Sequence, residues 1–171
     1  MLAEAPPSVN RRHSCGCRSY AWYHSWGEGD VVTKPPYEIT SHTADIGLVI
    51  RGTDMAELLV NGGYALNAIQ FEQPPLGRDI SREIRVESTG TDTLLVDWLN
   101  ELLYMFVGEG LVFSRFKAMD VSGASAVLLC EGEQYDPSRH AVVRDIKAAT
   151  YHMAGVRCTD EGYEARVILD V

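Results

Sequence analysis

Apolar and polar residues alternate along this chain with two different periods, and the changes of period mark its elements. Residues 37–42 and 46–51 alternate at a period near two and read as short strands on either side of Thr43-Ala44-Asp45, which puts Asp45 at a bend. Met55, Leu58, Leu59, Gly62, Leu66 and Ile69 then recur at helical spacing. Asp54 followed by Glu57 is a helix-opening pattern, and Pro74-Pro75 cannot continue a helix. Ile80, Ile84 and Val86 among Arg and Glu predict another strand. The spacing predicts a second helix from residue 92 or 93 to 106, with Leu95, Trp98, Leu99, Leu102 and Phe106 as its apolar face and Gly108 and Gly110 closing it.

Beyond that helix the period returns to two. Residues 111–121 and 124–131 read as strands joined across Ser122-Gly123, a hairpin. Residues 133–140 form a polar loop around Asp136-Pro137. Residues 142–156 read as one long strand in which Lys147 and Ala149 alternate with Ile146 and Ala148, and residues 163–169 as the last strand. Two helices packed on a mostly antiparallel sheet make an α+β fold. Pairing of the first strands with the last would place Asp45 near Asp170, although local pattern alone does not require it.

Residues 1–36 have no such period. They are rich in Ala, Pro, Ser, Gly and Arg, with Trp22, Tyr23 and Trp26 clustered among glycines, and hold little aliphatic surface to offset the entropy of ordering. A mobile extension, a partner-docking aromatic cluster and a misplaced translation start near Val31 or Val32 all stay open. The organisation is therefore an extension over 1–36 and one domain over 37–171.

Composition narrows the function. An apolar content of 46% in 171 residues suits one sizeable core. No run approaches a membrane span and no signal core opens the chain, so a cytoplasmic protein is the expectation. Four basic residues against three acidic ones give residues 1–36 a charge of +1, and taking that from the whole chain's −9 leaves −10 on residues 37–171. A domain this acidic repels a phosphate backbone, so strong direct nucleic-acid binding is not expected. Cys15-Gly16-Cys17 beside His13 is short of the two ligand pairs of a metal finger, and Cys130 and Cys158 read as small buried hydrophobes.

Candidate chemistry lies at the two ends of the domain. Asp170 and Val171 gather a carboxylate, a carbonyl and a terminal α-carboxylate, oxygen donors that a hard cation prefers, and Asp45 would complete the set if the fold brings it there. A terminal Asp is more often only solvated. Asp97 and Glu101 stand one turn apart on the second helix, where paired acids are more often a solvated face than ligands or acid–base partners. No Gly-rich phosphate cradle, G-x-S-x-G elbow or metalloprotease histidine pair is present.

Five segments in order carry a resemblance. Ser41-His42-Thr43-Ala44-Asp45-Ile46-Gly47, the stretch from Leu95 to Tyr104, the stretch from Gly132 to His140, the stretch from Ile146 to His152, and Ile168-Leu169-Asp170-Val171 together closely resemble the archease family over residues 37–171. The resemblance implies a non-enzymatic activator of an RtcB-type RNA ligase in tRNA splicing, promoting the ligase's nucleotidylation and multiple turnover. It implies a Ca²⁺ or other divalent metal site at Asp45, Asp170 and Val171. His42, Glu101, Lys147 and His152 are then partner contacts or supports of the ligands, with Lys147 offsetting the repulsion between the acids. Ser41 departs from the family, which commonly has Asp there, and removes one negative charge near the site. Two rivals remain: a metal-dependent phosphoester hydrolase using Asp45, Glu101 and Asp170, and a chaperone-like adaptor for RNA-modifying enzymes.

Overall fold

The computed structural model describes residues 36–41 and 45–171. The extension over 1–36, apart from Pro36, therefore lies outside the described residues. Seven strands and two helices follow in the order β1 (Tyr37–Ser41), β2 (Asp45–Gly52), α1 (Met55–Gln70), β3 (Ile80–Glu87), α2 (Thr91–Glu109), β4 (Leu111–Ser122), β5 (Ser125–Gln134), β6 (Ala148–Thr159) and β7 (Gly162–Asp170). The antiparallel strands divide into two sheets, ordered β1-β2-β7-β6 and β3-β5-β4. Each helix touches strands of both sheets, so one core serves the whole domain.

Local chemistry sets the helix ends. The Asp54 carboxylate accepts from the Glu57 N–H at 2.8 Å, while Glu57 reaches back to the Thr53 N–H at 2.6 Å, which satisfies donors that the first turn leaves open. The chain turns extended at Phe71. Gly110 closes α2 at φ 66°, a left-handed conformation suited to glycine, with its N–H on the carbonyls of Met105 and Phe106.

The predicted helix faces are the ones buried. Leu58, Leu59, Leu66 and Ile69 of α1 meet Leu95, Trp98, Leu99 and Leu102 of α2 in the same core, and each such side chain contributes roughly 1.5–3 kcal/mol on burial. Trp98 is fully buried and donates its indole N–H to the Leu59 carbonyl at 2.9 Å, which ties the two helices together. On β2 and β7 the core residues are Ile46, Leu48, Ile50, Ala165, Val167 and Leu169, so Asp45 and Asp170 fall on the opposite face of that sheet.

Several readings need correction. Asp45, expected at a bend, is instead the first residue of β2 and pairs with β7. The long strand expected over 142–156 begins only at Ala148 and runs to Thr159. Residues 142–144 are held instead by the end of α1: Phe71 bridges Val142, and the Gln70 carbonyl accepts from the Val143 N–H at 2.9 Å. Ile146 and Ala149, not Ile146 and Ala148, are the buried pair, so period two fails there. A further correction concerns Cys158, which is exposed on β6; Cys130 is buried as expected.

Candidate functional site

Strands β2 and β7 pair along their whole length, and the register sets Asp45 directly opposite Asp170. On its other side Asp170 faces Ala148 of β6. The predicted meeting of Asp45 and Asp170 is therefore present in the fold. Side chains directly opposite across antiparallel strands share a face, with Cβ atoms about 4.5–5.5 Å apart, and like charges placed so destabilise the pair. Both acids are exposed.

The same two strands show what a purely structural charged rung looks like. Arg51 is the register partner of Glu164, with Nε 3.1 Å from Oε2, and Arg157 on β6 approaches the other carboxylate oxygen at 2.6 Å. Burial raises the Glu164 pKa, but hydrogen bonds and charge from Arg157 and Arg51 outweigh it and hold the group below its ordinary value. One end of the sheet matches opposite charges; the other sets two like charges face to face.

Lys147 supplies positive charge at that second end. It lies immediately before β6 rather than within a strand, its N–H donates to the Asp170 carbonyl at 2.9 Å, and its Nζ donates to the Val171 main-chain oxygen at 3.0 Å. Asp45, Lys147, Asp170 and Val171 thus converge on one exposed tip. The available donors are hard oxygens of the kind that Ca²⁺ or Mg²⁺ takes. Among the described residues no group of three or more His, Cys, Asp or Glu side chains is arranged to hold a metal, so main-chain oxygens would share in any cation site here. His42 lies outside the described residues.

Helix α2 holds the tip from behind. Asn100 makes two hydrogen bonds with the Ala149 main chain: its Oδ1 accepts from the N–H at 2.8 Å and its Nδ2 donates to the carbonyl at 3.0 Å. β6 is an edge strand, and the Asn100 amide completes it as a further strand would. Asp92 does the same for the Val156 N–H at 2.9 Å. Asp97 accepts from Ser88 Oγ at 2.5 Å and from the Tyr151 hydroxyl, and this bond, with some burial and the charge of Asp97, raises the Tyr151 pKa. Asp97 is therefore committed to structure. Glu101 is half-buried one turn further along α2, and because α2 runs antiparallel to β6 it lies toward the Lys147 end.

His152 lies on β6 in a stretch that has no register partner on β7. Between Thr150 and Gly155 β6 makes five residue steps against two on β7, which pushes residues 151–154 out as a wide bulge. His152, Tyr151 and Met153 are exposed there, and Met153 adopts φ 56°, an uncommon conformation for a residue with a Cβ.

The polar loop after β5 is ordered around a buried acid. Glu133, 4% exposed, accepts from the Gly77 N–H at 2.5 Å and pairs with Arg139 at 2.7 Å and His140 Nε2 at 3.4 Å. His140 Nδ1 accepts from the Asp136 N–H at 2.9 Å, so Nε2 carries the proton that faces Glu133. Burial raises the Glu133 pKa, and the bonds from Gly77 and His140 with the charge of Arg139 lower it on balance. This cluster shapes the loop that leads into Lys147.

Sequence reasoning missed Asn100 and Glu133 as supports. A polar amide within an otherwise apolar helical window was the available signal for Asn100. For Glu133 the alternation of β5 offered none, because the consecutive residues Gly132 and Glu133 are both buried.

Comparison with known proteins agrees with this architecture. The Archease protein family (MTH1598/TM1083) matches residues 37–171. Protein archease of Methanosarcina acetivorans is 32% identical over 139 residues, covering 79% of this chain and 95% of that protein. Protein archease of Pyrococcus furiosus is 32% identical over 139 residues, covering 79% and 98%. The solution structure of Methanobacterium thermoautotrophicum protein 1598 is similar with TM-score 0.70 and 29% identity, over 81% of this chain and all (100%) of that one. The crystal structure of a Thermotoga maritima archease, described as a "possible chaperone", is similar in fold with TM-score 0.54 and 20% identity, over 84% of this chain.

Proposed function

The chain belongs to the archease family, and we propose that it activates an RtcB-type RNA ligase of tRNA splicing by presenting a cation-binding acidic tip to the ligase. The observation that carries this reading is the Asp45–Asp170 rung, a like-charge pair at the end of two neighbouring strands whose other charged rung is fully compensated. Stability alone selects against such a pair. A role in holding a cation explains its presence.

In this reading Asp45 and Asp170 supply carboxylate oxygens and Val171 a further oxygen, Lys147 tempers their repulsion, and Glu101 contacts the partner. A bound Ca²⁺ or other divalent ion supplies the positive charge that neutralises the acids as the tip enters a cleft. The chain itself provides no nucleophile. It accelerates the ligase by binding the reactive conformation more tightly than the resting one, which lowers the barrier to nucleotidylation by that difference. The charge of −10 on residues 37–171 fits a protein that engages another protein and leaves RNA to it. Among the described residues no helix is long and apolar enough to cross a membrane.

The test is ligase nucleotidylation with GTP and divalent metal, comparing the unmodified protein with Asp45→Ala and Asp170→Ala. Stimulation by the unmodified protein that both variants lose supports the reading. No stimulation of a competent cognate ligase refutes it and moves the function to a solubilising adaptor, whereas phosphoester turnover by the isolated protein moves it to a hydrolase.

A further inference from the structure

We propose that one internal water molecule binds beneath the C-terminal end of α1, held by the side chains of Gln70 and Asn67, and that it fixes the residue on which segment 142–144 is mounted. This water site is independent of the acidic tip and of any reading of it. Gln70 supplies the starting observation. It is 3% exposed, and its Nε2 is buried with no hydrogen bond to any described residue. A buried amide donor left unpaired is costly, and nearly all such groups in folded proteins have a partner.

The space beside Gln70 has the size of that partner. A cavity lies between the end of α1, α2 and the start of β4, walled by Leu66, Leu102, Phe106, Leu111 and Phe113, with Gln70 and Asn67 as its polar lining residues. It admits the centre of a water molecule over about 10 Å³, which is room for one water and too little for an organic ligand. A wholly apolar cavity stays dry, whereas convergent polar groups retain a water.

Asn67 completes the polar side. It stands three residues before Gln70 on the same face of α1 and donates its Nδ2 to the Phe113 carbonyl at 2.7 Å, which leaves its Oδ1 as an acceptor. A water in the cavity accepts from Gln70 Nε2 and donates to Asn67 Oδ1. It serves the Gln70 amide whichever way that group is turned, because water both donates and accepts. The place matters because Gln70 carries its neighbours: its carbonyl accepts from the Val143 N–H at 2.9 Å and the Arg144 N–H at 3.4 Å. Holding the Gln70 side chain on a buried water steadies the main chain from which that segment hangs.

Two measurements on the full chain test this. In isotope-labelled protein, the Gln70 side-chain amide protons should give NOE and ROE cross-peaks of opposite sign at the water frequency, the pattern of a water held longer than the molecule tumbles. The exposed Gln73 amide should not. The cavity walls carry no hydroxyl proton that could relay such a peak. Absence of the peaks at Gln70 overturns the proposal, and upfield-shifted amide protons without them would identify an aromatic ring as the acceptor instead. The second measurement is the urea midpoint of Gln70→Met. With a water on the amide, methionine removes a hydrogen bond already made, so the midpoint should fall or hold. A raised midpoint overturns the proposal, because the native amide would then have been an unpaired donor whose removal is a gain.

Discussion

Truncating Asn100 to alanine should loosen the edge of the four-stranded sheet at the point where it supports the tip. The side chain donates one hydrogen bond to the Ala149 main chain and accepts another. Each such bond contributes a net 0.5–1.5 kcal/mol, so losing both should cost about 2 kcal/mol. With a urea slope of roughly 2 kcal/mol/M for a domain of this size, the unfolding midpoint should fall by about 1 M. Asn100→Asp keeps the acceptor for the Ala149 N–H and loses the donor, so it should fall between the two. Native-state hydrogen exchange localises the effect: if β6 opens locally, the Ala149 amide should exchange roughly thirtyfold faster, the factor that about 2 kcal/mol corresponds to. A midpoint shift under about 0.3 M, with Ala149 exchange unchanged, would refute the reasoning. Water would then satisfy the strand edge as well as the amide does.

Two further outcomes follow from groups buried away from the tip. The folded-state pKa of Glu133 is lowered, so its contribution to stability is present above the unfolded-state value near 4.3 and is lost as pH falls through the folded one. Glu133→Gln should therefore flatten the loss of stability between about pH 5 and pH 3, read as urea midpoints, and an acid limb as steep as in the unmodified protein would contradict this. Burial pushes the Cys130 thiol up to about 12, so peptide-mapped alkylation at pH 8 should label Cys130 only on unfolding. Rapid labelling in the native state would mean that β5 opens far more often than its packing implies.

Most of the framework was legible in the sequence because it rests on periodicity. The faces of both helices, the Asp54 cap and the hairpin at Gly123 all follow from local spacing and turn chemistry. The Asp45–Asp170 pairing was a consequence of topology, foreseeable only by supposing that the first and last strands are neighbours. The rest depended on contacts that spacing does not encode. Residues 142–147 look like a strand by composition, but the end of α1 takes the backbone groups of 142–144 and the Lys147 N–H goes to β7. The bulge over residues 151–154 breaks the alternation that was read as continuous, and His152 sits within it. Asn100 acts on backbone atoms, which carry no side-chain signature in the partner strand.

The neighbours β2 and β7 come from opposite ends of the domain, residues 45–52 and 162–170, and that separation orders events during synthesis. Helices and the local β4–β5 hairpin can form as the chain emerges, whereas a contact of such long range waits for its second strand. The acid pair is thus the last feature of the domain to exist. A nascent or truncated chain that carries both helices and the whole three-stranded sheet still lacks the tip, so unfinished copies have no paired carboxylates.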